Sequence, residues 1–426
     1  MANGELPEGW DLARIRDKFT FTTKPRDLRL NNYKKVAVLP MEAIPTGHLY
    51  VREYQEKTPG QISSGTYFEE GDLLLSKITP CFENGKQAIA AETPNGFGIA
   101  TTEVIPIKPI PCVSQTPFLA YYLLDSEVRA SLAGKMEGAT GRQRLSKSIL
   151  EDWEIAFPPL PEQQTIAGVL SKLQGAVEAQ DKIIATLEEL KAATLAKLFR
   201  EGLRGEPLKE TEIGEIPESW EVVRLSQVAD FASGGTPSKA NAHWWSGSIP
   251  WASPKDMKVS WLTDTQDHIS EEAAKRGSRI VPAGSIFIVV RGMILARDVP
   301  VAMTVIPMAF NQDMRAILPK KSADPGFLLY AIASRKSSLT EEISNSSHGT
   351  RRMSASAVES LQVPFPEDVE EQKAVGRALR SLEERELAAV ATRSTLGKAF
   401  SSMLHLLMTG ELRLEMQQTG EGGDAP

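Results

Sequence analysis

Cysteine is nearly absent from this 426-residue chain: Cys81 and Cys112 are its two copies. They form no metal-type pair, and no His-x-x-x-His occurs, so structural zinc and a disulfide framework are both excluded and a reducing cytoplasm is the simplest setting. Long apolar runs are also missing. Runs such as 285–290 are far too short to cross a bilayer, and the MANGELPEGW start has no basic-then-apolar signal pattern. No glycine-rich loop follows a strand as in a dinucleotide or P-loop site. No Asn/Asp-Pro-Pro-aromatic motif is present either, and FPPLP at 157–161 lacks the amide or carboxylate that base methylation at an amino group requires. The five histidines are scattered, and Glu69-Glu70 and Glu271-Glu272 read as solvated pairs. Together these absences argue against an enzyme.

What is present is a soluble globular composition, 41% hydrophobic and 24% charged, long enough for two to four domains. The net charge of −7 is unevenly spread: −2 over 1–158, −3 over 159–215, +2 over 216–366 and −4 over 367–426. The acidic excess thus lies mainly in segments read below as helical, and local basic clusters say more about partners than the total does.

The chain is written twice. LPEGWDLARI at 6–15 is echoed by IPESWEVVRL at 216–225, which sets Trp10 opposite Trp220. GRQRLSKSILEDWEIAFP at 141–158 is echoed by GTRRMSASAVESLQVPFP at 349–366, which sets Gly141, Arg144 and Ser146 opposite Gly349, Arg352 and Ser354. PEQQTIAGVL at 161–170 faces EEQKAVGRAL at 370–379. A shift held between 208 and 210 residues implies duplication of a domain-sized unit whose two interiors have diverged.

Each copy ends in a 4-3 apolar alternation, the seam of a coiled coil. The first runs through Ile166, Leu170, Leu173, Val177, Ile184, Leu187 and Leu198, with Gln180, Lys191 and Thr194 filling the same register. The second runs through Val375, Leu379, Leu382, Ala389, Leu396, Phe400, Met403 and Leu407, interrupted by Glu386 and Arg393. The alternative is a pair of ordinary core helices. Gly202 and Gly410 close the helices as left-handed caps. The predicted layout is therefore a mixed domain at 1–158, a central helix at 159–203, a polar linker at 204–215, a second mixed domain at 216–366, a C-terminal helix at 367–412 and a disordered tail at 413–426. Strands are expected at 36–39, 72–78, 87–91 and 103–107, and at 248–251, 285–290, 299–305 and 314–318. Helices follow at 117–132 and 325–344, giving α/β (α+β) domains with a curved sheet.

Basic residues near turns are the candidate nucleic-acid contacts. Lys135, Arg142, Arg144 and Lys147 crowd one loop, and Arg351 and Arg352 occupy its repeat. The plainer alternative is that Ser146 and Ser354 cap helices and the charges are solvated. Thr236 and Lys239 within SGGTPSK, with Lys255 and Lys258 just beyond, form a second group, and Arg14, Arg29, Lys34 and Lys35 a weaker third.

SGGTPSKANAHWWSGSIPWASPKDMK (233–258), IGEIPESWEVVRL (213–225) and FPPLPEQQTIAGVL (157–170) resemble segments of the specificity subunits of type I restriction–modification systems. The first copy departs from the pattern: it lacks the SGGTPS segment, and KKVAVLPMEAI (34–44) is a loose counterpart of the second. The resemblance implies a cytoplasmic, non-catalytic subunit with two target-recognition domains separated by two antiparallel spacer helices in a pseudo-two-fold internal repeat. It implies a bipartite target on double-stranded DNA, two methyltransferase subunits docked on the helices, and restriction/motor subunits joined through them. No cofactor would bind this chain; S-adenosylmethionine, ATP and magnesium would belong to the partners. Two other readings compete: a coiled-coil adaptor or inhibitor without base readout, and a stand-alone DNA adenine methyltransferase.

Overall fold

The computed structural model describes residues 6–139, 141–345 and 351–414. The chain divides into two units, one of residues 1–183 with 389–426, the other of 184–388, and both boundaries fall inside long helices.

In the first unit a five-stranded sheet has the order Phe19–Phe21, Val104–Pro109, Leu73–Ser76, Gln87–Ala90, Tyr50–Val51. Its neighbours are antiparallel except for the last pair, which is parallel. A four-stranded sheet has the order Gln55–Lys57, Val36–Leu39, Phe97–Ala100, Thr66–Glu69, its middle pair parallel. The strand Leu73–Ser76 is buried throughout because it is covered on both faces. Side chains alternate across a strand. Leu73 and Leu75 join Phe118 and Leu119 of the helix Thr116–Tyr122, while Leu74 joins Leu39, Phe68 and Ala100 of the other sheet.

The second unit repeats this topology. Its five-stranded sheet runs Ala229–Ser233, Met314–Pro319, Ile286–Val289, Val301–Thr304, Trp261–Leu262, again with a parallel last pair. Its four-stranded sheet runs Asp267–Ile269, Ile249–Ala252, Met308–Phe310, Ile280–Val281, again parallel in the middle. Phe287 meets Phe310 between the two sheets, ring centroids 4.8 Å apart.

A short antiparallel pair closes each unit: Asp11–Arg14 with Glu154–Phe157, and Glu221–Arg224 with Gln362–Phe365. The expected single curved sheet is thus two larger sheets packed face to face, with helices on the outer side of the five-stranded sheet and, in the second unit, the helix Glu271–Gly277 on the outer side of the four-stranded one. The segment 204–215 differs from the expected linker. Leu208–Thr211 pairs with Gly214–Pro217 in a hairpin, whose turn at Glu212-Ile213 leads into Gly214 at φ 103°. Of the expected tail, Arg413 and Leu414 pack onto the first unit, and 415–426 lie outside the described residues.

The two long helices are Leu160–Glu201 and Val369–Thr409, the first about 63 Å long at 1.5 Å per residue. They run antiparallel within each unit. In the first, Ile166 and Leu170 share a core with Leu404 and Leu407, and Phe400 and Met403 pack against it. In the second, Phe199 shares a core with Val375 and Leu379. Of the predicted seam, Leu170 and Leu379 are buried, and Leu173, Val177, Ile184, Leu187, Leu382, Leu396, Phe400 and Met403 are half-buried. Gly202 and Gly410 both take positive φ, 62° and 72°, at the helix ends.

Candidate nucleic-acid interface

Each helix start is bolted to its sheet domain by a buried Glu-Gln pair, Glu162-Gln163 and Glu371-Gln372. Trp10 Nε1 donates to Glu162 at 3.0 Å, and Arg413 Nη2 donates to the same carboxylate at 2.9 Å. In the second unit Trp220 Nε1 donates to Glu371 at 3.3 Å, with Arg204 Nη2 3.3 Å away. Gln163 Nε2 donates to the carbonyls of Pro158 and Val113, as Gln372 Nε2 does to those of Pro366 and Ser322. A buried amide that meets backbone partners at each end fixes the geometry of its junction. The segments framed by these junctions can therefore vary on a constant support.

The variable elements converge on the connection between the two central strands of the five-stranded sheet. In the first unit this is residues 77–86, and in the second 290–300. In the first, Ile78 forms a bridge to Arg144, and Arg144 also bridges Glu137. In the second the same arrangement is a three-stranded sheet, in which Arg291–Gly292 pairs with Arg351–Met353 and that strand with Ile343–Asn345. Arg144 and Arg352 thus occupy equivalent central positions, in line with the sequence repeat. After them Ser146 and Ser354 accept from the amides of Ile149 and Ala357, capping the next helices.

The predicted basic residues fall into separate groups. Arg144 lines a cavity of about 460 Å³ together with Lys77, Lys147, Phe21 and Glu137. Its guanidinium is forked onto Glu103 at 3.0 and 2.7 Å, and this bond holds the Glu103 carboxyl below its usual range. Lys147 lies 3.3 Å from Glu151 and over the Phe21 ring. Arg142 is exposed at the hairpin tip formed by Glu137 and Arg144. Lys135 lines a different cavity, over the ring of Trp153.

In the second unit, Lys255 and Lys258 are exposed just after the strand Ile249–Ala252, apart from the three-stranded sheet that carries Arg351 and Arg352. Thr236 is hydrogen-bonded to Gln312, and Lys239 lies 5.8 Å from the centre of the Trp245 ring. The SGGTPS segment has a packing duty as well. A Cβ at Gly234 would stand 2.3 Å from the Phe310 carbonyl oxygen, and Gly235 donates to that oxygen at 2.9 Å. Gly349 lies outside the described residues. In the weaker third group, Arg14 is 3.9 Å from Asp152, and Lys35 is paired with Glu56 at 2.7 Å; Arg29 and Lys34 are exposed.

Sequence reasoning missed Lys77, Arg291 and the exposed Met293 and Ile294. Aligning the connections 77–86 and 290–300 by the strands flanking them would have found these residues, although the two connections share almost no identities. Among the described residues no group of His, Cys, Asp and Glu is arranged to hold a metal ion, and no helix is long and apolar enough to cross a membrane.

A family model described as the type I restriction modification DNA specificity domain matches residues 7–189 and 217–393. The chain is 31% identical over 241 residues to the EcoR124I/EcoR124II specificity subunit of Escherichia coli, covering 56% of this chain and 57% of that one. Over 435 residues it is 25% identical to the MjaVIII specificity subunit of Methanocaldococcus jannaschii, covering 96% and 94%. Against the EcoR124I and EcoEI subunits of E. coli it spans about half the relative's length or less, 57% and 37%. The solved S subunit of a type I restriction-modification system from M. genitalium matches 96% of the chain with a TM-score of 0.61 at 16% identity, a likeness of fold.

Proposed function

Because the chain belongs to the type I restriction–modification DNA specificity family, we propose that it is the sequence-reading subunit of such a complex and recognises two unlike half-sites on double-stranded DNA. One observation carries this reading. Two units with the same sheet orders and the same bolted junctions differ in the segments that join their central strands. One frame furnished twice suits one task performed on two different sequences.

Residues 1–158 and 216–366 would each read one half-site, and the paired helices would receive two methyltransferase subunits, through which restriction and motor subunits join. The chain itself would carry out no catalysis. S-adenosylmethionine, ATP and magnesium would be held by the partners. Local cations would contribute the phosphate contacts that anchor the subunit, so binding should weaken steeply with salt.

Methylome sequencing tests this. A host free of other adenine methylation, carrying this chain with its methyltransferase partner, should show one two-part methylated motif with a fixed gap. Methylation in a single unbroken tract, or none that depends on this chain, would refute the reading. An adaptor without base readout predicts the second of those results.

A further inference from the structure

The connection 290–300 carries a feature that neither the seam nor the bolted junctions explain. Met293 is 78% exposed and Ile294 40% exposed, side by side in the turn Met293–Ala296. The turn is anchored, since Leu295 beside them is 1% exposed and belongs to the core of the unit. Gly292 enters the turn at φ 146° and ψ 166°, a region open to glycine and closed to other residues, so the projection of Met293 is built into the backbone.

The surroundings are cationic. Arg291 and Arg297 are exposed, and neither has an ion-pair partner among the described residues. Of the acids beside them, Asp298 is taken by Lys336 at 3.0 Å, and Asp313, whose backbone carbonyl accepts from the Arg291 amide, is met by Asn311 Nδ2 at 3.4 Å. Arg291 stands directly opposite Arg352 in the ladder.

Two bare apolar side chains with an exposed arginine before and after them in the chain match a surface that is apolar at its centre and anionic at its edges. A DNA groove has that character, with base edges (the thymine methyl among them) between two lines of phosphates. An apolar protein partner would instead meet unpaired guanidinium groups that it must desolvate.

Building on the DNA-reading function above, we infer that Met293 and Ile294 form the apolar base-contacting tip of the second unit, with Arg291 and Arg297 on the flanking phosphates. The corresponding connection of the first unit has no such apolar tip: Phe82 within it is fully buried, and its exposed positions are Pro80, Glu83 and Asn84. The two connections then differ in what they can read.

The test uses the full chain with its methyltransferase partner, the methylome as readout and DNA competition binding at several salt concentrations. Replacing both Met293→Ala and Ile294→Ala should relax base choice within one half of the motif, with discrimination there falling about tenfold and the other half unchanged. Arg291→Gln should weaken binding to all sequences alike and make the salt dependence shallower by about one unit. Met293→Asp, which sets a carboxylate in an anionic groove, should lower affinity further than the alanine pair does. If the unsubstituted complex gives no two-part motif, the DNA-reading function fails and the tip with it. If that motif is present but unaltered in sequence and affinity by Met293→Asp, the tip alone is refuted, as it is if the half-site read by residues 1–158 changes instead.

Discussion

Asp72 and Ser285 stand at the same place in the two units, each following a positive-φ glycine and leading into the central strand. Ser285 settles its hydroxyl on the Pro282 carbonyl at 2.8 Å. Asp72 is fully buried and accepts from the Glu69 amide at 2.8 Å, while its other oxygen has no partner. Burial pushes its carboxyl up to about 6, opposed by the Glu69 amide, the nearby Thr22 hydroxyl and Lys108, with the Glu69 carboxylate adding to the rise. The folded state therefore holds this proton more tightly than the unfolded chain, whose value is 3.8. The group's contribution is most favourable below pH ~4 and is lost as pH rises through about 6. Asp72→Asn keeps an acceptor for Glu69 and removes the charge. The expected result is a variant more stable than the parent at pH 7, by on the order of 2 kcal/mol, with the gap closing toward pH 4. Denaturant midpoints of both proteins across that range would measure it, and parallel curves would show that Asp72 does not titrate as described. None of this was visible in the sequence, where Asp72 reads as the first residue of an apolar strand. A buried carboxylate is a product of tertiary packing.

At the scale of elements, the polar positions within the apolar seam acquire partners. Lys191 donates to Glu386 at 2.5 Å inside the second unit, and Arg393 to Asp181 at 2.9 Å inside the first. The heptad pattern showed where these polar residues sit but not which meets which, because pairing depends on the relative direction and register of two distant segments. Lys191 and Glu386 are half-buried, so their coupling should exceed that of a surface pair. Reversing one charge, Lys191→Glu, should destabilise the chain, and adding Glu386→Lys should recover about 1 kcal/mol. A double-mutant cycle on unfolding midpoints measures the coupling; purely additive effects would show that the contact contributes nothing.

The same scale explains which strands were legible. Leu73–Ser76 and Ile286–Val289 are apolar runs buried on both faces, and a short run bounded by turns announces that. Gln55–Lys57 was not legible, because its three polar side chains are largely exposed and its strand character comes from pairing with Val36–Leu39. Phe97–Ala100 escaped for another reason: it is short and contains a glycine. The hairpin at 208–217 was masked by the glycines, prolines and charges that also mark a linker.

For the whole molecule, the repeat was the most informative sequence signal, since it predicted two units of the same kind before any strand was assigned. The candidate site was less legible. Arg144 and Arg352 were singled out because the repeat aligns them, whereas Arg291 and Met293 lie where the copies have diverged, and a repeat cannot point to a residue whose counterpart has changed. The junctions carry a consequence for exchange. Trp10, Glu162 and Gln163 make contacts that Trp220, Glu371 and Gln372 reproduce, so a foreign domain bearing the same residues should seat on the same helix start. Replacing residues 1–158 with the corresponding segment of another family member should therefore change one half of the methylated motif and leave the other half and the gap as they were. Methylome sequencing of the chimera reads all three at once. A change in both halves would mean that base selection depends on contacts spread over the entire chain, and the separate readout proposed for each unit would have to be given up.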